Sequence, residues 1–510
     1  MQQDFRRTLL WERVLWSPLA QAALTFFALG LSAPAAQAIP ETPLYPVADI
    51  PYVPIGEEIT TQVWLDWNSV LPQAVDRPDR SYRSVWVRVF PTLSNPLGDP
   101  YPNTQDLDHA TLVNAGGFQV YSMKDHRAIA QATKVEVDFE ARVVVINDSR
   151  RLPLEAMWIV PAGLDVSQMS WDEGKDTEVR IRLRGGFVVN TSIHESRETP
   201  PKAPRELWSV INVVPINQYI QSVVPSEIIS SWHQETMKAQ AIAARTYGLY
   251  EVGFARSRGL DFDVDPTTWY QSYQGVEFWN RVTRTWRTIE WPRTTEAVKA
   301  TAGQVMVHRQ EIIKAYFSAN SGGRSCELDE CLPENHMNAP YIHVVDDHPD
   351  IRTVPGGTWG DRADITPQTV RDELAKWGLD LPKPVRKLEH LERGASGRTW
   401  RLRIIYTDGT SLDLDRFYTK KVMRTFGALR SYWYELGPIQ TNGKQKIRGW
   451  GYGHGVGMSQ WGAQLFALQG WSAQRILRHY YNDISITRMS RDAELNPAKS
   501  PRRQSPTYVN

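Results

Sequence analysis

VVPSEIISSWHQETMKAQAIAARTYGLY, residues 223–250, sets a lone carboxylate, Glu227, in an apolar turn directly ahead of a well-marked amphipathic helix. Val223, Val224, Pro225, Ile228, Ile229 and Trp232 around it strip away water, and an acid so placed favours its protonated form and can donate a proton near neutral pH. Behind it, Ser231 and Gln234 have capping-box spacing, and Met237, Gln240, Ala241, Ala244 and Gly248 fall on one helical face. The small residues there predict tight packing and a rigid platform. A Glu at a helix start also has a bland role, complementing the helix dipole. The two roles conflict, because helix-start amides favour the ionised form while a general acid must hold its proton. Burial against Trp232 or the aromatic residues of 450–461 has to outweigh those amides.

Outward from this stretch the chain divides by pattern. Residues 39–82 are rich in Pro without periodicity and read as an extended lead-in. SVWVRVF (84–90), KVEVDFEARVVVIN (134–147) and EVRIRLRGGFVVN (178–190) alternate apolar and polar residues, the mark of half-buried strands, so 83–204 reads as a small β-rich domain. From 205 to 490 helices and strands mix, which makes the expected class α+β. That part holds a helical piece around 294–301, a strand through QVMVH (304–308), and a hairpin of 398–406 and 411–417 around Asp408-Gly409. A helix begins at Ser459 and closes at Gly470, and Ser472 caps the next with Trp471 and Ile476 as a hydrophobic staple. Residues 491–510 are basic, polar and Pro-containing, the composition of a disordered tail.

A second constellation is GWGYGHGVGM at 449–458, where five glycines alternate with larger residues. If extended, it turns one face of bare backbone to a sugar or another strand, and Trp450, Tyr452 and His454 to the other; a Gly-rich structural bend is the alternative. It lacks GxGxxG spacing, so it is no dinucleotide fingerprint, and a lone His454 is no metal site. The Asp triplet Asp261, Asp263 and Asp265 invites a calcium reading, but strand alternation explains it and the EF-hand Gly and Glu are missing. Cys326 and Cys331 are the two cysteines of the chain. They read either as a short-loop disulfide or, with His336 and one of His343 or His348, as a tetrahedral zinc site.

With 58 basic and 57 acidic residues in 510, the chain has no broad basic footprint for nucleic acid, while 20 Trp and 20 Tyr suit stacking on sugar rings. Arg6, Arg7 and Arg13, a mostly apolar stretch from Pro18 to Leu31, and Ala36-Gln37-Ala38 read as an export signal cleaved after Ala38. An uncleaved membrane anchor is the alternative. The expected location is outside the cytoplasm, in the periplasm or cell wall.

Taken together, PSE followed by a Trp, KAQAIAARTY, QSYQG (271–275), SANSGG (318–323) and GYGHGVGMSQWGA (451–463) resemble, in order, the motifs of the stage II sporulation protein D (SpoIID) family. The resemblance covers about 205–485. That family includes peptidoglycan lytic transglycosylases and relatives described as enhancers of wall amidases. It implies Glu227 as catalytic acid; Gln271, Tyr273, Gln274, Ser318, Asn320, Ser321, Tyr452, His454 and Gln460 as substrate-binding groups; and Trp232, Lys238 and Arg245 as supporting ones. Arg245 would orient Glu227 or pair with a buried carboxylate, and Lys238 equally fits a solvated helix charge. Some members are thought to hold zinc using a His just before SxxGG, where this chain has Ser318. The implied partners are glycan strands, from which stem peptides have been removed, and a wall amidase; no cofactor is required. Ordinary glycosidases need two carboxylates, and the sequence offers no convincing second one. A lytic transglycosylase manages with one. A non-catalytic wall binder and a zinc hydrolase are the rival classes.

Overall fold

The computed structural model describes residues 84–90, 109–162, 166–172, 178–194, 205–267, 270–280, 283–332, 337–425, 429–441 and 443–488. The export segment, the lead-in, the C-terminal tail and His336 fall outside them.

Alternation makes strands of β1 (Ser84–Phe90), β2 (His109–Ser122), β3 (Ala128–Asp138), β4 (Val143–Ile146), β5 (Arg150–Pro153) and β6 (Met157–Pro161). In β3, Val135 and Val137 are buried while Lys134 and Glu136, which alternate with them, reach outward. KVEVDFEARVVVIN folds as a hairpin, with Val135 opposite Ile146 and Val137 opposite Val144. There follow β7 (Ser167–Asp172), β8 (Glu178–Leu183), β9 (Gly186–His194), β10 (Arg205–Pro215), β11 (Glu277–Asn280) and β12 (Thr285–Thr288). The twelve strands form one sheet, ordered β1-β10-β9-β6-β2-β7-β8-β11-β12, with β3, β4 and β5 branching from β2. Gly185, at φ +83°, makes the turn between β8 and β9; a Cβ there would sit 2.1 Å from the Val213 carbonyl oxygen.

The class is α+β, as the mixed pattern predicts. The boundary expected at residue 204 falls inside the sheet, because β10 pairs with β9 on one side and β1 on the other. Helices α1 (Ile216–Glu227) and α2 (Gln234–Ser257) pack on that sheet. Tyr219, Ile220, Val223, Val224, Met237, Ala241 and Ala244 share a single apolar core with Val85, Val87, Leu112 and Val120.

α2 is buried on nearly every side. Its opposite face, Ala239, Ile242, Ala243 and Tyr247, meets a second core. That core is completed by β13 (Gln304–His308), the short strands β14 (Glu311–Ile312) and β15 (Phe317–Ser318), and helices near the C-terminus. Helix α3 (Pro292–Ala300) leans on both α1 and α2.

Residues 358–450 have a core of their own, including Trp359, Leu388, Leu402, Ile404, Val422 and Tyr434. It is built from β16 (Thr358–Ile365), α4 (Pro367–Lys376), β17 (Val385–Arg393), β18 (Thr399–Tyr406), β19 (Ser411–Asp413), α5 (Arg416–Thr425), β20 (Trp433–Ile439) and β21 (Gln445–Trp450). The predicted 398–417 hairpin forms, but its second strand is three residues long. Asp415 accepts from the Tyr418 amide at 2.9 Å and turns the following residues into α5.

The last helices are α6 (Gln460–Leu468), entered through β22 (Met458–Ser459), and α7 (Ala473–Tyr480). Ser459 and Ser472 cap them as expected, accepting from Gly462 and Arg475 at 3.2 and 3.3 Å. The cap of α2 differs from the sequence reading. His233 caps it, its Nδ1 accepting from the Glu235 amide at 3.2 Å, because Ser230 and Ser231 are consumed in a turn closed by the Trp232 amide on the Ile229 carbonyl.

Candidate active site

Glu227 is the last residue of α1, not a residue at the entrance to α2. Pro225 sits in the final turn of that helix, and Ile228 is extended at φ −129°, ψ 164°. This position reverses the expected electrostatic conflict. The carbonyl end of α1 carries partial negative charge, which works with burial to keep the carboxyl protonated. Exclusion of water is the largest influence and pushes its pKa up to about 7, against the lowering effects of the Ser272 amide and the Gln460 side chain. The Ser272 N–H donates to Glu227 Oε1 at 2.6 Å. Glu227 as a whole is half-buried, so part of its surface stays open to the outside while the carboxyl itself is poorly hydrated.

Trp232 forms one wall, meeting Trp461 edge to face with ring centroids 4.7 Å apart. Trp461 is fixed by its amide, which donates to the Ala319 carbonyl at 3.0 Å, so SANSGG and QWGA meet beside the acid. Gln460, in the first turn of α6, bonds the Glu227 carboxyl and also reaches Gln240 Oε1 on α2 at 3.4 Å. Gln240 is wholly buried; in the sequence it marked a helix face and a position of the family motif. Its role, and that of the Ser272 amide, was hidden because both depend on chain segments far apart in sequence.

Of the two readings of the 449–458 stretch, the structure takes the Gly-rich bend beyond β21. Beyond β21 the glycines 451, 453, 455 and 457 all take positive φ, from 71° to 97°. Their bare backbone is approached by protein. A Cβ at Gly457 would lie 2.0 Å from the Tyr316 carbonyl oxygen, and one at Gly455 2.1 Å from an Arg398 nitrogen. Asn320 and Tyr452 exchange backbone hydrogen bonds of 3.0 and 2.7 Å, and Cys326 N–H donates to the Gly455 carbonyl at 2.8 Å. The ribbon runs straight into β22 and Gln460 and so frames the acid from that side. Tyr452 and His454 are half-buried; His454 Nδ1 accepts from the Val456 amide at 2.9 Å, and its ring stands edge-on to Tyr316.

Several residues expected to bind substrate face inward. Gln271 is buried, donating to the Ala244 carbonyl at 3.1 Å and accepting from the Tyr219 hydroxyl at 3.3 Å. Tyr273 stacks on Tyr219, and its hydroxyl donates to Asn212 at 2.7 Å. The Asn320 side chain holds the Ile351 carbonyl and the Gly322 amide, and Ser318 Oγ accepts from the Gly455 amide. Ser321 hydroxyl donates to the buried Asp347. These groups shape the walls. Gln274, half-buried, is anchored by its amide to Ser222 Oγ.

Among the described residues, Arg245 meets no carboxylate. It is fully buried on Asn217 and the carbonyls of Ala241, Gln304 and Val298, and burial lowers its pKa to about 9. Lys238 pairs with Glu235 at 2.8 Å. Asp263 pairs with Arg256 and accepts from the Trp86 amide, tying α2 to β1, and Asp265 accepts from Thr267 within its own turn, so these two aspartates are structural. Cys326 and Cys331 form a disulfide. Their sulfurs are bonded to each other, which removes both thiolates from the zinc alternative.

One acid with a pKa near 7, no carboxylate among the groups that shift it, and a framing glycine ribbon make a site suited to proton donation and return. Residues 205–308 match the family model described as stage II sporulation protein, and residues 362–457 match a domain of unknown function (DUF8618). An uncharacterized protein of Brachyspira hyodysenteriae is 31% identical over 290 residues, spanning 55% of this chain and 69% of that protein. The stage II sporulation protein D of Bacillus amyloliquefaciens is 26% identical over 323 residues, 62% of this chain and 86% of that protein. The amidase enhancer of Bacillus subtilis is 26% identical over 305 residues, 52% of this chain and 40% of that protein. The chain belongs to the stage II sporulation protein D family. That membership gives it a role connected with the cell wall.

Proposed function

We propose that this protein is an exported lytic transglycosylase that cuts peptidoglycan glycan strands between MurNAc and GlcNAc and leaves 1,6-anhydro-MurNAc ends. The observation that carries the reading is the poorly hydrated carboxyl of Glu227, with its pKa near 7. Protonated Glu227 donates to the glycosidic oxygen as the bond to C1 breaks. The resulting carboxylate then takes the proton of the sugar's own C6 hydroxyl as that oxygen attacks C1. The leaving strand keeps the first proton, the acid regains the second, and no water enters. The intramolecular nucleophile stands in for a second catalytic group. Ser272 and Gln460 hold the carboxyl in place and, by favouring its charged form, ease the donation step. Peptide-stripped strands are the substrate form, made by a wall amidase, and the periplasm or wall is the place of action. The sequence's apolar leader would provide the route there; no described helix is long and apolar enough to cross a membrane.

The test is digestion of peptide-free glycan by the native protein and by Glu227→Gln, followed by mass analysis. Anhydro ends from the native protein, lost in the variant, are expected. Hydrolytic ends one water heavier would rule out this chemistry. A second reading, a non-catalytic enhancer of an amidase, is favoured by the relative of that name; it requires that neither protein produce ends while both raise the release of stem peptides by an added amidase.

A further inference from the structure

Residues 358–450 differ from the rest of the chain in charge. They hold 18 Lys and Arg against 11 Asp and Glu, a net +7 in a protein whose total is +1. Positive charge gathers around α5, and from Arg416 to Tyr434 there are five basic residues and no acid. The same stretch carries Phe417, 49% exposed and the most exposed aromatic side chain among the described residues.

Aromatic and cationic groups here are interleaved. Phe417 meets Trp377 edge to face at 5.4 Å, and the Lys421 ammonium lies over both rings, 3.3 Å from Trp377 and 4.8 Å from Phe417. Lys420 lies 5.7 Å over Tyr432. From there the pattern continues toward the glycine ribbon. Arg352 lies between Trp433 and Trp450 at 4.8 and 4.9 Å, and Arg430 lies 5.1 Å from the Tyr452 ring. A core-forming helix has no use for a half-exposed Phe with a lysine ammonium over its ring. A polymer that offers flat sugar faces and regularly spaced negative charges uses both features at once.

We infer that the α5 face of the 358–450 module is a second binding surface, gripping an anionic glycan strand whose continuation passes the ribbon to Glu227. The exposed Phe417 ring takes a sugar face, backed by Trp377, and Lys420 and Lys421 take carboxylates. A peptide-stripped glycan strand fits, because each muramic unit then exposes its lactyl carboxylate. The identity of the strand rests on the function proposed above; the existence of the surface does not.

The experiment uses full-length protein carrying Glu227→Gln, so that strands stay uncut, with and without Lys420→Glu/Lys421→Glu and, separately, Phe417→Ala. Co-sedimentation is measured with peptide-stripped peptidoglycan, and with the same material after its carboxylates are capped as neutral amides. Charge reversal is expected to weaken binding about tenfold, and Phe417→Ala several-fold. Capping and high salt should weaken the parent to the level of the charge-reversed protein, with unfolding temperatures unchanged. Unaltered binding by both folded variants would overturn the inference, as would equal binding to capped strands or displacement by DNA of matched charge. Product analysis with Glu227 intact separates the two ideas. Anhydro ends with unaltered binding sink the surface alone, while α5-dependent binding without such ends sinks the catalytic reading alone.

Discussion

At Glu227 the competition is between hydration and the two donors that reach its carboxyl. The fold raises the pKa from 4.5 to about 7 even though Ser272 and Gln460 both stabilise the anion. An acid raised in this way contributes stability that is full below the unfolded value and is lost as pH rises through the folded one. Glu227→Gln removes that dependence. Its unfolding temperature should exceed the native one by more at about pH 8 than at about pH 5, the advantage growing by about 2 kcal/mol. A difference independent of pH would mean that the carboxyl ionises as in the unfolded chain. The same value fixes the rate profile: as a general acid Glu227 must start protonated, so kcat/KM on glycan should fall about tenfold per pH unit above its pKa near 7. A fall confined to the acid side would show that the ionised form is the one needed. The sequence made the acid legible through its apolar neighbours, but placed it at the wrong helix end. That error came from Pro225: a proline two residues before the Glu reads as a helix boundary, whereas here it lies in the last turn of α1.

Helices and strands were legible wherever one face of an element decides its conformation. β1, β3, α2 and α6 follow their apolar periodicity, and Ser459 and Ser472 cap the helices that their spacing predicts. The glycine ribbon was not, since alternation of Gly with larger residues fits an extended strand as well as a chain of left-handed turns. What decides is contact from outside the segment. Gly409 and Gly457 both have positive φ, +84° and +71°, but a Cβ at Gly409 meets open space and one at Gly457 meets the Tyr316 carbonyl at 2.0 Å. Gly409→Ala should therefore cost about 1 kcal/mol of conformational strain alone. Gly457→Ala must also push β15 away from β22, and should cost about 3 kcal/mol or more while lowering activity by displacing Gln460. Urea unfolding of the two variants checks the pair, and equal losses would show that backbone conformation rather than close approach is what the ribbon requires. The inward turn of Gln271 and Tyr273 was hidden for the same kind of reason: amide and phenol groups suit a sugar and a buried partner equally, and Asn212, which receives the Tyr273 hydroxyl, lies 61 residues away.

Among the described residues, the 358–450 module and the rest have separate apolar cores, and one buried side chain makes several of the bonds that join them. Arg398, fully buried, leaves the start of β18 and donates to the carbonyls of Ser321, Arg324 and Ser325 at 2.7, 2.9 and 3.4 Å. It passes so close beneath Gly455 that no side chain fits there. Burial lowers its pKa to about 10, opposed by the charges of Glu330 and Asp347, so it remains a cation at any physiological pH. Glu330 is itself held by Ser396, two residues before Arg398. The module thus pins the SANSGG loop, whose Ala319 carbonyl fixes Trp461 beside the acid. Removing the guanidinium strands three carbonyl oxygens and leaves a cavity under the ribbon, each orphaned acceptor costing about 1 kcal/mol or more. Arg398→Met should accordingly lower stability by about 3 kcal/mol or more and split thermal unfolding into two calorimetric transitions, since each part keeps its own core once the clamp is gone. It should also reduce cleavage of glycan far more than binding at α5, because the loop beside Glu227 loosens while the module's outer face is untouched. A single transition with proportional loss of both readouts would mean that the two parts melt as one body, held together by the Gly453 amide on the Arg430 carbonyl, the Trp359 indole on the Gly451 carbonyl and Ser396 on Glu330 rather than by the arginine.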